Sequence, residues 1–394
     1  MRQTKVALAL ASFVAILAAG GSAFASGMDP TPERLYLEPS GLPSGVSCQQ
    51  VAANPGIALS APFPAGSSPN NFPCLPNNIA WANMMSELGM AIAPPAFHPA
   101  RTTGLGGFAL TFQASYTHIN ANAVDSTGTQ YWHQGTQGAV DPNTHQFSIV
   151  NNNPDSILQV YTLNARKGLA YGFEITGSLG YVSNTSLWVG GADVHWSILE
   201  GFRTGLFGYL PDIAVGGGVR TLGGSPKFFL TTVGIDGQIS KPFTLSDSAV
   251  LTPYIGVQRV LIYADSTVVN LAPGVDPVAQ CGEEGTNVPG NPNVPVGGAG
   301  GVYDGQPVCK NKLSNGASNN SAFNDLTTFN KARIKRWRGI VGLDYRFEIL
   351  YLAAQFATDV TDPNAENAQY VGSSGSDGWN AKQWTLSLEA GVFF

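Results

Sequence analysis

Charge is what this sequence most lacks. Only 12% of its 394 residues are Asp, Glu, Lys or Arg, where soluble domains carry about 25%. Hydrophobic residues still make up 43%. Beyond residue 25 no unbroken apolar stretch reaches the ~20 residues that a membrane-crossing helix needs. A helical membrane protein is thereby excluded, and an ordinary water-exposed surface is hard to build. Histidine is scarce at five residues, none paired at zinc-motif spacing, and the four cysteines (Cys48, Cys74, Cys281, Cys309) form no C-x-x-C. No metal site and no cofactor is implied. A basic excess is missing too: the formal net charge is −6, which makes a poor general binder of nucleic acid.

What is present begins with a leader. Arg2 and Lys5 precede an apolar run from Val6 to Ala19, and Ala23-Phe24-Ala25 puts small residues where a signal peptidase reads. Residues 1–25 are expected to be cleaved before Ser26. Export places the cysteines in an oxidising compartment. Proximity suggests the pairs 48–74 and 281–309, one of three connectivities that four cysteines allow.

The main signal is period-two alternation, which sends successive side chains to opposite faces of a sheet. Trp384, Leu386, Leu388, Ala390, Val392 and Phe394 share one face, and Thr385, Ser387, Glu389 and Gly391 the other; Phe393 breaks the rule. Arg336–Phe347, Leu169–Val182, Phe108–Ile119 and Leu187–Leu199 alternate likewise. Asp212–Leu222 and Phe228–Ile239 do so less cleanly. Ile157–Ala165, Val250–Tyr263 and Tyr351–Thr358 are strands of undetermined facing. The fold class that follows is all-β: an up-and-down antiparallel transmembrane β-barrel of about ten strands, twelve if the longest loop adds a hairpin. A lipid-wetted outer face accounts for the missing charge.

Aromatic spacing supports this reading. Tyr171 and Tyr181, Trp337 and Phe347, and Trp384 and Phe394 each lie ten residues apart on one face. At ~3.3 Å per residue and ~45° tilt, ten residues rise about 23 Å, close to the apolar band between two aromatic girdles. Loop parity agrees. The long gaps, near 120–156, 264–335 and 359–383, all fall between odd and even strands and share one side, the expected extracellular side. The same parity places both chain ends in the periplasm.

Trp384–Phe394, alternating and ending in Phe, resembles the C-terminal assembly signal of bacterial outer-membrane β-barrel proteins. The resemblance implies recognition by the barrel-insertion machinery and an outer-membrane location. It reaches the two chain ends and the ladder between them and specifies no subfamily.

Residues 26–105 stand apart as a periplasmic or plugging segment before the barrel at 106–394. Ser26–Pro76 reads as an extended stretch. Ile79, Ala80, Met84, Met85, Leu88 and Ile92 have helical spacing over 78–92, with Asn77 or Asn78 as cap and Pro94-Pro95 as stop. This helix either plugs the barrel or rests on its periplasmic rim.

The inward parity collects Glu174, Asp193, His195, Arg220, Asp236, Arg336, Arg338, Asp344, Arg346 and Glu389 as lumen-lining candidates. Both signs occur, so they either pair across a narrow lumen or line a wet one. Lys331, Arg333 and Lys335 lie on the outward face above Trp337, where lipopolysaccharide phosphates would meet them. Asp193-Val194-His195 is similar to the Asp-x-His pair of a ten-stranded family of outer-membrane proteases. It falls mid-strand, however, and no Asp-x-Asp partner accompanies it, so a non-catalytic polar pair is expected and the chain is read as no enzyme.

The functional expectation is a narrow or gated channel, or passive transporter, for small solutes of unspecified identity. A closed structural or surface-recognition barrel acting through its long loops is the alternative, and a membrane-embedded hydrolase stands third. The expected partners are outer-membrane lipid and lipopolysaccharide.

Overall fold

A computed structural model describes residues 27–38, 48, 74–96, 98–139, 148, 150–200, 210–246, 248–271, 281–283, 307–309, 326–363, 367 and 382–394. The leader at 1–25 and most of the 264–335 loop lie outside the described residues. Ten long strands form the main sheet: β1 (Phe108–His118), β2 (Ile157–Gly168), β3 (Phe173–Val182), β4 (Trp188–Leu199), β5 (Asp212–Gly223), β6 (Phe228–Ser240), β7 (Ala249–Ser266), β8 (Ala332–Phe347), β9 (Leu350–Asp359) and β10 (Trp384–Phe393). Each pairs antiparallel with its sequence neighbours, and β10 pairs back onto β1 from Thr385↔Thr117 to Phe393↔Ala109. The ring therefore has no free edge, and its main-chain polar groups pair within the wall. Phe243–Ser246 adds a short fringe to β7.

Alternation sorts the two faces as expected. On β1, Thr111, Gln113, Ser115 and Thr117 are buried inside, while the residues between them look outward. Large apolar side chains are exposed on the outer face, among them Leu179, Ile235, Ile255, Val341 and Leu352, each more than half exposed. Among the described residues no helix is long and apolar enough to cross a membrane. The apolar outer belt of a closed antiparallel ring is the surface of a membrane-spanning β-barrel.

Three expectations need correction. First, Leu169–Val182 is not one strand. The chain turns at Ala170–Gly172, with Tyr171 at φ 62° and Gly172 at φ 75°, so β3 starts at Phe173. Tyr171 sits in that turn, 91% exposed, and forms no girdle pair with Tyr181. Phe173 takes the strand position and stacks on Trp196 at 5.5 Å. Period-two counting does not register a left-handed turn. Second, the barrel has the ten strands expected, and only the alternative of twelve falls away. Cys281–Glu283 with Pro307–Cys309, and Val269–Asn270 with Leu326–Thr327, form two-stranded sheets separate from the ring.

The third correction concerns the N-terminal residues. Thr31 N donates to Gly135 O at 2.7 Å, Gln137 N to Asp29 O at 3.0 Å, and Ser186 N to Asp29 Oδ1 at 2.7 Å. Lys227 Nζ lies 2.6 Å from Glu33. All these partners belong to the first three odd gaps. The first described residues thus cap the long-loop end, whereas Phe394 pairs with Phe108 at the opposite end. Parity locates where β1 begins; it does not register a chain that crosses the lumen first.

Candidate functional site

The candidate site is the lumen, and the crossing segment fills it. Helix α1 (Asn78–Ile92) starts at the long-loop end, where Asn77 accepts from Ala80 N at 3.0 Å and donates to Asp125, Thr127 and Thr129. Ala80 to Ile92 are all buried, and the helix touches β1, β2 and β5 to β8, on both sides of the ring. Such a helix must be apolar nearly all round. Trp81 stacks on Phe329 at 5.1 Å and meets Phe228 edge-on at 5.8 Å. A Cβ on Gly89 would come within 2.5 Å of Ile262 Cγ2, so only glycine allows the helix this close to β7.

Glu87 is the helix's buried charge. Tyr131 Oη (2.8 Å) and Trp132 Nε1 (2.7 Å), both on the one-turn helix α2 (Tyr131–Gln134), donate to it, as does Asn120 N (3.2 Å). Burial pushes its carboxyl above the usual range, a shift opposed in turn by the Trp132 and Tyr131 hydrogen bonds and by Arg336.

Below α1 the chain has no helical bonds, and the wall supplies partners instead. Gln258 Nε2 (3.1 Å) and Arg338 donate to the Pro94 carbonyl, Gln355 Nε2 (2.6 Å) to that of Pro95, and Gln238 Nε2 (3.0 Å) to that of Ala96. Further along, Ala100 N donates to Ser240 Oγ at 3.0 Å and Thr103 N to Glu174 Oε2 at 2.8 Å. Two glycines clear the polar groups beside this strap: a Cβ on Gly218 would collide with Asp193 Oδ1 and fall 3.0 Å from Pro94 Cβ, and one on Gly234 would fall 2.7 Å from Gln258 Nε2. A small, partly open space of about 20 Å³ remains beside it, lined by His98, Asp193, His195 and Asp236 among others. That is room for about one water.

The inward candidates join this packing. Arg220 grips both oxygens of Asp193 (2.9 and 2.6 Å) and Ser178 (3.0 Å). Arg336 pairs with Asp359 and reaches Gln383 and Ser86 of α1. Arg338 Nε donates to Gln258 at 2.6 Å. Gln238 Nε2 donates to Asp236 at 3.0 Å, and Asp344 is buried. His195 Nε2 lies 3.5 Å from Ala100 O, and its ring meets His98 edge-on at 5.8 Å. Glu389 pairs with Arg166, which sequence reasoning missed because β2 seemed to stop at Ala165. Arg346 differs: it is exposed at the end of β8, lying over Phe393 at 4.3 Å. Alternation gives its face but not its depth. The glutamines that hold the strap also went unpredicted, since an uncharged polar residue in a strand carries no distinctive signal.

Elsewhere, Cys48 and Cys74 form a disulfide. The backbones of Cys281 and Cys309 are register partners, but their side chains lie outside the described residues. Tyr181 and Trp384 stand at the long-loop ends of their strands, Trp337 lies five residues inside that end of β8, and Phe347 and Phe394 stand at the other rim. Arg333 is bound to Asp265 at 2.9 Å, while Lys331 and Lys335 are exposed.

No family model and no curated protein matches this chain. Solved structures with some likeness include three outer-membrane barrels. One is the COG4313 outer membrane channel from Pseudomonas putida F1, at 9% identity over 77% of this chain and 100% of that one, TM-score 0.27. Another is Ail, the attachment invasion locus protein of Yersinia pestis, at 9% identity over 74% and 99%, TM-score 0.21. The third is the Pseudomonas putida toluene transporter TodX, at 9% identity over 73% and 88%, TM-score 0.20. Similarity this slight assigns no relative.

Proposed function

We propose that the chain is an outer-membrane barrel working as a gated channel for small solutes, held shut by its own N-terminal segment. The observation that carries this is the strap at Pro94–Ala96. Its carbonyls are held by Gln258, Arg338, Gln355 and Gln238 side chains rather than by a sheet ladder. Water can replace the three glutamine bonds at a net cost of only about 0.5–1.5 kcal/mol each, and the charged Arg338 bond at about 1.5–3 kcal/mol. The leader, the exposed apolar belt and the aromatic rims support the location, and the terminal strand ending at Phe394 supports handling by barrel-insertion machinery. The hydrolase reading has least support, because Arg220, not His195, holds the Asp193 carboxylate.

A second reading, a closed surface-recognition barrel, is favoured by the cap at the long-loop end, where residues 27–37 knit three loops together. Planar-bilayer recording separates the two. Gly89→Cys with Ile262→Cys would staple α1 to β7. The channel reading expects openings under reducing conditions that vanish on oxidation. Silence in both states, and in an Arg338→Ala/Gln258→Ala variant, leaves the recognition reading.

A further inference from the structure

Charge on the outer wall is confined to a few positions. Among the described outward-facing residues of the ten strands, the Lys, Arg, Asp and Glu side chains are Lys167, Arg259, Asp265, Arg333 and Lys335. Lys167 lies at the short-turn rim. The other four gather on the β7–β8 seam at the long-loop end. The register places Tyr263 opposite Arg333, Leu261 opposite Lys335 and Arg259 opposite Trp337. The three cations therefore occupy three successive outward rungs, spaced about 6.7 Å apart along a strand. Lys331 follows just above and is exposed.

The seam is organised as well as charged. The Arg259 guanidinium lies over the Trp337 ring at 4.8 Å, and that of Arg333 over Tyr263 at 5.4 Å. Asn367 clamps the Lys335 backbone, accepting from its N–H at 2.9 Å and donating to its carbonyl at 2.8 Å. Asp265 offsets a single positive charge through Arg333. A charge on the lipid face is costly at mid-membrane and nearly free at the interface. Arg259 shares its rung with Trp337, ten residues above the Ala249–Phe347 rung at the lower rim, and that rise of about 23 Å brings it to the level where a phosphorylated headgroup begins. A guanidinium stacked on an indole presents its N–H groups around the edge of its plane, the arrangement that suits phosphate oxygens.

We propose that this seam binds the phosphates of the lipid A part of lipopolysaccharide, with Arg259 and Lys335 as the principal contacts and Arg333 and Lys331 flanking them. This rests on the outer-membrane reading but not on channel activity. The site places a fixed anionic lipid against one side of the barrel.

The test uses the full chain in neutral detergent, with binding followed by native mass spectrometry. Bisphosphoryl lipid A should bind, and Arg259→Gln/Lys335→Gln should weaken it at least tenfold, while Lys167→Gln leaves it unchanged. Arg259→Lys should fall between, because it keeps charge without the planar fork. Faster gel migration of unboiled samples verifies that each variant is folded. The proposal is overturned if folded Arg259→Gln/Lys335→Gln binds as the parent does, or if lipid A stripped of phosphate binds equally well. It is also overturned if phosphatidylglycerol or inorganic phosphate displaces lipid A at equal concentration. Failure of the parent chain to insert into liposomes would remove the membrane reading itself, whereas insertion without lipid A binding removes only the seam.

Discussion

Arg166 and Glu389 meet across a strand that lies between them. The arginine Nη2 is 2.5 Å from Oε1 and 2.6 Å from Oε2 of the glutamate, although β2 and β10 each pair with β1 and not with each other. Thr111 of β1 donates to the same carboxylate, and the guanidinium lies over the Tyr351 ring at 5.0 Å. The pair ties three strands together at the point where the first and last strands close the ring.

Breaking one side of such a pair leaves a buried charge unpaired. Arg166→Met should destabilise the barrel by about 3–5 kcal/mol, and Arg166→Met/Glu389→Gln should recover most of that loss. Denaturant unfolding in detergent, followed by gel mobility, measures both. Equal losses in the single and double variants would mean that the pair's charges are not the cause.

At Gly89 the helix approaches Ile262 too closely for any side chain. Gly89→Val should cost about 1–3 kcal/mol through overpacking, and Ile262→Ala in the same chain should restore part of it. A double-mutant cycle on thermal unfolding checks this; simple additivity would place the helix farther from β7.

The Glu87 carboxyl is raised above its ordinary 4.5 by burial. A raised folded-state value means that the folded form holds the proton more tightly than the unfolded form. The contribution is complete below about 4.5 and is lost as pH rises through the raised value. The cap at the long-loop end should therefore loosen on going from acid toward neutral pH, and Glu87→Gln should flatten that dependence. Hydrogen exchange of the α2 amides between pH 4 and 7 reports it. A pH profile identical in parent and variant would exclude Glu87 as the source.

An epitope inserted directly after Glu38 should be reached by antibody on intact cells, since residues 27–38 lie at the long-loop end. Reactivity only after the outer membrane is permeabilised would reverse the orientation.

Tyr171 and Phe173 differ by two positions and should differ sharply in effect. Tyr171→Asn, in an exposed left-handed turn that Asn tolerates, should leave stability within about 0.5 kcal/mol. Phe173→Asn removes the stack on Trp196 and an apolar position of the lower rim, so it should impair folding into liposomes. Similar behaviour of the two variants would return Tyr171 to the girdle.

The ladder was legible from residues alone because lipid on one side and packed polar groups on the other impose a local, period-two demand on every strand. Leu386, Leu388 and Ala390 against Ser387 and Glu389 show that demand without knowledge of any partner. The helix at 78–92 was legible for the same reason, at the helical period. Inward facing was readable for Arg220 and Arg336, but their partners were not. Asp193 and Ser178 for one, and Asp359, Gln383 and Ser86 for the other, come from different strands, the loop before β10 and the helix.

Sequence by itself determined that there are about ten strands, which way the side chains of the regularly alternating ones face and that the outer face avoids charge. Only the tertiary structure decided that the chain runs through the lumen from the long-loop end, that Arg166 closes on Glu389, and that Arg259 joins Lys335 at one seam. Periodicity records the surroundings of each residue along its own segment. Depth, partnership and threading depend on which distant segments share the enclosed space, and that is settled only when the ring closes.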